Sequence, residues 1–153
     1  MASTETLQPA DFIDWGQQEN FKPQIGVGEC AEVTIDLVAT LFLEAHEKLE
    51  LATETLLAGQ SADSVYYSYS ALIHFAKAYL TALGEKTNSH VQIIEAFEEK
   101  VVQAGQVDLK SFSEMAYRIK QNEPTEAFAK GYLEAAVQFG AEIKRIRELE
   151  ILN

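Results

Sequence analysis

The stretch SADSVYYSYSALIHFAKAYLTALG, Ser61 to Gly84, decides the fold. Between Asp63 and Glu85 only Lys77 carries a constant charge. At about 100° per residue, Val65, Tyr69, Leu72, Ile73, Ala76, Tyr79, Leu80 and Leu83 share one broad apolar arc, flanked by Ala71, Phe75 and Ala82. A helix with so little surface for water belongs at the centre of its domain, packed on several sides. Its remaining strip holds Tyr66, Tyr67, Ser70, His74, Lys77 and Thr81. Hydroxyls, one imidazole and one ammonium make an unusual solvated face, and this strip is the candidate site.

Working outward, a helix is predicted before it, from about Ala31 to Ala58, ending at Gly59, with Leu37, Val38, Leu41, Ala45, Leu49, Ala52 and Leu56 inward. The break from Gly59 to Ala62 is short enough to force an antiparallel hairpin. In the first half of that helix Val33, Ile35, Ala39, Phe42 and Leu43 add apolar residues on other sides. They predict a subunit interface, hence a homodimer, or a docking place for the N-terminal residues. After Gly84, Asn88 or Ser89 caps a third helix carrying Val91, Ile94, Phe97 and Val101 inward and closing at Gly105. Asp108, or Ser111 with Glu114 as a capping box, opens a fourth through Leu109, Phe112, Met115 and Ile119. Pro124, suited to a first helical position, starts a fifth with Phe128, Tyr132, Ala135, Ala136, Phe139, Ile143 and Ile146 on one face. No segment alternates as a strand does, so the expected class is all-α, an antiparallel up-and-down bundle of four to five helices. Residues 1–30, punctuated by Pro9, Gly16, Pro23, Gly26 and Gly28, read as an irregular arm or linker, and residues 31–153 as the bundle. Phe12, Ile13, Trp15 and Phe21 make that arm too apolar for a free tail.

The bulk composition narrows the function classes. At 153 residues and 47% hydrophobic content, the chain can bury one core without disulfides or metal. Its one cysteine, Cys30, can form neither an internal disulfide nor a thiolate zinc site alone, which points to a reducing compartment. No apolar run approaches the roughly 20 residues of a membrane span, and the first residues lack a signal peptide's basic start and apolar core. A cytoplasmic location without membrane contact is expected. The formal net charge of -12 opposes binding to DNA, which needs clustered Lys and Arg. The cluster Lys144, Arg145 and Arg147 sits in the last turns of a predicted helix, where cations complement the macrodipole.

Several chemistries fail on spacing. GVGECA, Gly26 to Ala31, has the form G-x-G-x-x-A, but no buried strand precedes it and Pro23 interrupts FKPQI, so a turn is expected there rather than a dinucleotide site. Di-iron bundle sites need Glu-x-x-His on two helices, and none of His46, His74 or His90 has Glu three residues before it. Neither a metal site nor a cofactor is expected, and no catalytic residue is assigned. The tyrosines of the strip have a plain reading as core residues whose hydroxyls reach the bundle edge. The other reading is a pocket lined by Tyr66, Tyr67, Ser70, His74 and Lys77, with His90 from the following turn. Lys and His in an uncharged surround suit an anionic group such as phosphate.

SYSALIHFAKAYLTALG (Ser68 to Gly84), KTNSH (Lys86 to His90) and IIEAF (Ile93 to Phe97) resemble the core of the HEPN domain, the "higher eukaryotes and prokaryotes nucleotide-binding" helical fold. The likeness covers roughly residues 33 to 148. It implies an up-and-down bundle of four or five helices, often dimeric, with nucleotide binding proposed for the family and metal-independent RNA cleavage in many toxin-like members. That cleavage is carried by an Arg-x(4–6)-His motif. Here arginine occurs only at 118, 145 and 147, after the last histidine, so the motif is absent. GVGECAEVTIDLVATL, Gly26 to Leu41, is similar to the region entering a helical extension of some bacterial nitrite/sulfite reductase-like proteins. That resemblance implies a parent or partner enzyme and no redox chemistry in this chain. Three readings stay open: a non-catalytic accessory domain binding a nucleotide or other anionic small molecule, a ribonuclease with unorthodox residues, and a purely structural interaction domain.

Overall fold

The computed structural model describes residues 27–107, 109 and 111–152, with side chains from Val33 to Glu150. The arm expected over residues 1–30 lies outside the described residues up to residue 26, as does Asp108. Five helices are described: α1 (Val27–Leu57), α2 (Ser61–Ala82), α3 (His90–Phe97), α4 (Phe112–Gln121) and α5 (Glu126–Leu152). A π-helical turn, Glu98–Val102, extends α3. The described residues contain no strand, and the chain is the all-α bundle expected. Two units divide it, Met1–Ile35 and Asp36–Asn153. Of the first, only the opening of α1 is described, and Val33 and Ile35 there are exposed. The helix begins at Val27, so Gly28, expected in a turn, lies within it.

The bundle is Asp36–Asn153. Gly59 closes α1 at φ +79°, with its N–H on the Leu56 carbonyl (3.1 Å) and that of Gln60 on Thr55 (2.8 Å). This is a Schellman stop, and a side chain at such a φ is strained. Gly84 and Gly105 repeat the paired bonds after α2 and after the π-helical turn. Each hydrophobic run therefore ends where its glycine dictates.

α2 is central. It packs most extensively on α5 and also meets α3 and α4. Leu72, Phe75, Ala76, Tyr79 and Leu80 have no measurable exposure. α1 and α2 meet through small residues: Ala45 and Ala52 are fully buried, and the Ser64 hydroxyl donates to the Ala52 carbonyl (2.8 Å). Phe97, Phe112 and Phe139 form a triangle with ring centroids 4.8 to 5.4 Å apart, joining α3, α4 and α5. Ring pairs at such spacings add about 0.5–1.5 kcal/mol each beyond the area they bury. The Tyr132 hydroxyl donates to the Ala116 carbonyl (2.9 Å), so α4 and α5 run antiparallel between this bond and the Phe112–Phe139 contact.

α3 is placed differently. Tyr69 meets His90, and Tyr79 meets Phe97. Both pairs advance in the same sense, so α3 runs alongside α2 after residues 83–89 carry the chain back. Val91, read as inward, is exposed, and Ile93 takes the buried position with Ile94 and Phe97. Two positions further on is just over half a turn away from Val91, which brings Ile93 round to the side that α2 covers. Ser89 caps α3 by accepting the Gln92 N–H (3.1 Å), and Ser111 caps α4 by accepting that of Glu114 (3.1 Å). Glu98 supports the second cap, since its Oε1 accepts from the Ser113 N–H (2.9 Å) and the Ser111 hydroxyl (3.0 Å). Burial pushes the Glu98 carboxyl up, yet these donated bonds outweigh it and hold the group below its ordinary value. α5 starts two residues later than Pro124 suggests: Thr125 is its cap, accepting the Phe128 N–H (3.1 Å).

Candidate functional site

The strip of α2 lies along the edge where α1 and the start of α3 flank it. Glu44 and Lys48 of α1, four residues apart and so on one side of their helix, line one flank. His90, the first residue of α3, lies on the other. Tyr66 is exposed and stands edge-on to Tyr67, with ring centroids 5.7 Å apart. Tyr67 is half-buried, and the Lys48 Nζ lies 5.8 Å from its ring centroid. Ser70 is buried, whereas His74 and Lys77 are half-buried.

His74 is the best-defined member. Its Nδ1 lies 2.7 Å from the Ser70 carbonyl and 3.4 Å from the Ser70 hydroxyl. A carbonyl only accepts, so Nδ1 carries the proton and Nε2 presents a lone pair in the neutral ring. That Nε2 stands 3.7 Å from Glu44 Oε1. Burial pushes the imidazole down to about 4; Lys48, Lys77 and His90 push the same way, and the bond to Ser70 opposes them. The ring is neutral at neutral pH. Glu44 is displaced upward, by burial first and then by Glu47, against the pull of Lys48 and Lys77. His90 is displaced downward, by burial and then by Lys77. Lys77 thus acts on Glu44, His74 and His90 alike, the electrical centre of the group.

Tyr69, read from the sequence as part of the apolar arc, is half-buried and contributes its hydroxyl, 3.2 Å from His90 Nδ1. The structure therefore brings Tyr66, Tyr67, Ser70, His74 and Lys77 together on one face and adds His90 through Tyr69. Sequence reasoning missed Glu44 and Lys48. A signal for them existed: Glu44 and His74 lie fifteen residues either side of Gly59, and an antiparallel hairpin sets equidistant residues side by side.

His46 belongs elsewhere, edge-on to Phe75 at 5.4 Å with Lys144 Nζ 3.0 Å from its Nε2. Ala39 and Leu43 are exposed, while Phe42 is half-buried and leans on Phe75 with ring centroids 6.1 Å apart. A separate groove of about 390 Å³ between α3 and α4 is lined by Glu95, Glu98 and Glu99 with Ile94, Gln103, Ser113 and Tyr117. Its carboxylates disfavour an anion. Among the described residues no group of three or more His, Cys, Asp or Glu could hold a metal ion, and no helix is long and apolar enough to cross a membrane.

No curated protein and no solved structure matches the chain. The family model described as HEPN domain matches residues 38–148, from the inward face of α1 to the last turns of α5. With α2, α3, α4, most of α1 and α5, and the residues that carried the resemblance inside that span, this chain belongs to the HEPN domain family.

Proposed function

We propose that this HEPN domain is a non-catalytic accessory module that binds a nucleotide or another anionic small molecule on the α2 strip. The observation that carries the reading is the convergence of Lys48, Lys77 and His90 on His74 in a chain of formal net charge -12. Two ammonium groups beside hydroxyl donors and the His90 imidazole form a local recognition set for phosphate. The exposed ring of Tyr66 offers a flat face beside it. Acid-base cleavage is disfavoured by the same geometry. An imidazole near 4 holds no proton to give at neutral pH and is a weak base. No arginine precedes a histidine either.

Native mass spectrometry of the purified protein reads retained ligand and assembly together. Retained phosphate-containing mass, or amide shifts along α2 on titration with adenosine 5′-monophosphate, supports the reading when it is lost in Lys77→Ala. Neither effect at millimolar nucleotide refutes it. RNA cleavage that survives a chelator and vanishes in His74→Ala would replace it with the ribonuclease reading. We also propose that the domain self-associates through exposed apolar residues of α1, since Leu43 is 61% exposed.

A further inference from the structure

The α2 strip has two ends of opposite character. Toward α3, Lys77 and His90 offer donors. Toward α1, two acceptors face one another: the Nε2 lone pair of His74 and Oε1 of Glu44, 3.7 Å apart. The Nδ1 proton is already committed to the Ser70 carbonyl at 2.7 Å, so it cannot serve this contact. Two acceptors cannot bond each other, and 3.7 Å exceeds hydrogen-bond length. With side chains 26% and 44% exposed, both take donors from solvent, and a ligand that displaces this water must bring two donors side by side. One hydroxyl proton meets only one of them, and a ligand ammonium would enter beside Lys48, already over the Tyr67 ring. Two neighbouring neutral hydroxyls match the spacing and add no charge.

We propose that Glu44 and His74 form a paired acceptor for a vicinal diol, so that the site takes a phosphorylated sugar with adjacent free hydroxyls. The proposal rests on the strip being an anion site, and it names the part of the ligand that the anion site alone does not recognise. Glu44 sets specificity; Lys77 serves the phosphate.

Isothermal titration of the whole chain with adenosine 5′-monophosphate, its 2′,3′-dideoxy counterpart and inorganic phosphate tests it. The ribonucleotide is expected to bind roughly tenfold or more tightly than the dideoxy compound, the usual worth of a hydrogen bond to a charged acceptor. Glu44→Met keeps the side-chain length, removes the acceptor and should erase that difference; Lys77→Ala should weaken both nucleotides alike. Glu44 is partly exposed, so its variant should fold, and His74→Phe, which removes Nε2 but keeps a ring, is the second route to the same result. Equal binding of the two nucleotides by the unaltered protein overturns the paired acceptor and leaves the anion site standing. So does a preference that survives both Glu44→Met and His74→Phe. Binding of none of the three compounds overturns the anion site, and the paired acceptor falls with it.

Discussion

α5 carries two helical glycines, and the structure gives them opposite expected responses to the same substitution. At Gly140 an added Cβ would lie 2.5 Å from Phe75 Cζ, 2.6 Å from Cε2 and 3.1 Å from Cε1. Carbon atoms rest at about 3.5–4.0 Å, so the overlap is roughly 1 Å against one edge of a ring. Phe75 has no exposed surface and is held by Phe42 and His46, so it cannot swing clear. Either α2 and α5 separate or the ring leaves its rotamer, at about 1–3 kcal/mol for overpacking. Alanine returns up to about 1 kcal/mol through helix propensity. Gly140→Ala should therefore destabilise by about 1–2 kcal/mol, lowering Tm by roughly 3–8 °C for a chain of this size. Gly131 meets nothing within 4 Å, so Gly131→Ala keeps the propensity gain and should stabilise by about 0.5–1 kcal/mol. Urea unfolding followed by far-UV circular dichroism measures both. A Gly140→Ala protein as stable as the parent would refute the close α2–α5 contact. Phe75→Leu should relieve the clash, so the double variant should lose less than the sum of its parts by at least about 0.5 kcal/mol.

Three further outcomes are expected. A nuclear magnetic resonance titration of the His74 ring should give a midpoint near 4, and one near 6.5 would mean that the ring is not buried as described. Because the folded value lies below the ordinary one, the stability tied to neutral His74 is present above about pH 6.5 and lost as pH falls toward 4; urea midpoints across that range should depend less on pH in His74→Gln. Tyr79→Phe removes a hydroxyl that donates to Glu150 and lies 3.0 Å from Gln106 Oε1, and should cost about 1–3 kcal/mol in the same unfolding assay. Burial and the Glu150 bond raise the Tyr79 phenol well above its ordinary value, so its contribution should persist below about pH 10 and fade above it. Leu43→Glu should convert any dimer to monomer by sedimentation velocity without moving the far-UV spectrum, and a dimer that withstands it would exclude that surface.

What could be read from the sequence divides by the range of the interaction that fixes it. Helix ends were legible because their causes are local: Gly59, Gly84 and Gly105 stop helices through bonds spanning six residues, and Ser89 and Ser111 accept N–H groups three residues on. The α2 strip was legible for the same reason, since one period of 3.6 places Tyr66, Tyr67, Ser70, His74 and Lys77 on one side. The errors arise where another element decides. Glu114 reads as the carboxylate of a capping box, but it is Glu98, thirteen residues before Ser111, that bonds the start of α4. Val91 reads as inward, yet the side of α3 that is covered depends on α3 running alongside α2, which residues 83–89 do not announce. The same placement turns the Tyr69 hydroxyl toward His90. Glu44 lies between these cases: invisible from α2 alone, it is recoverable once the hairpin is centred on Gly59. His74 draws on both ranges. Its tautomer comes from a carbonyl four residues back on its own helix, and its Nε2 lone pair faces a carboxylate thirty residues away on another. A histidine in an apolar helix is therefore ambiguous until the hairpin register is fixed. With the register, it becomes a neutral acceptor beside a second acceptor, and that pairing gives the strip a chemical preference that its cations alone do not.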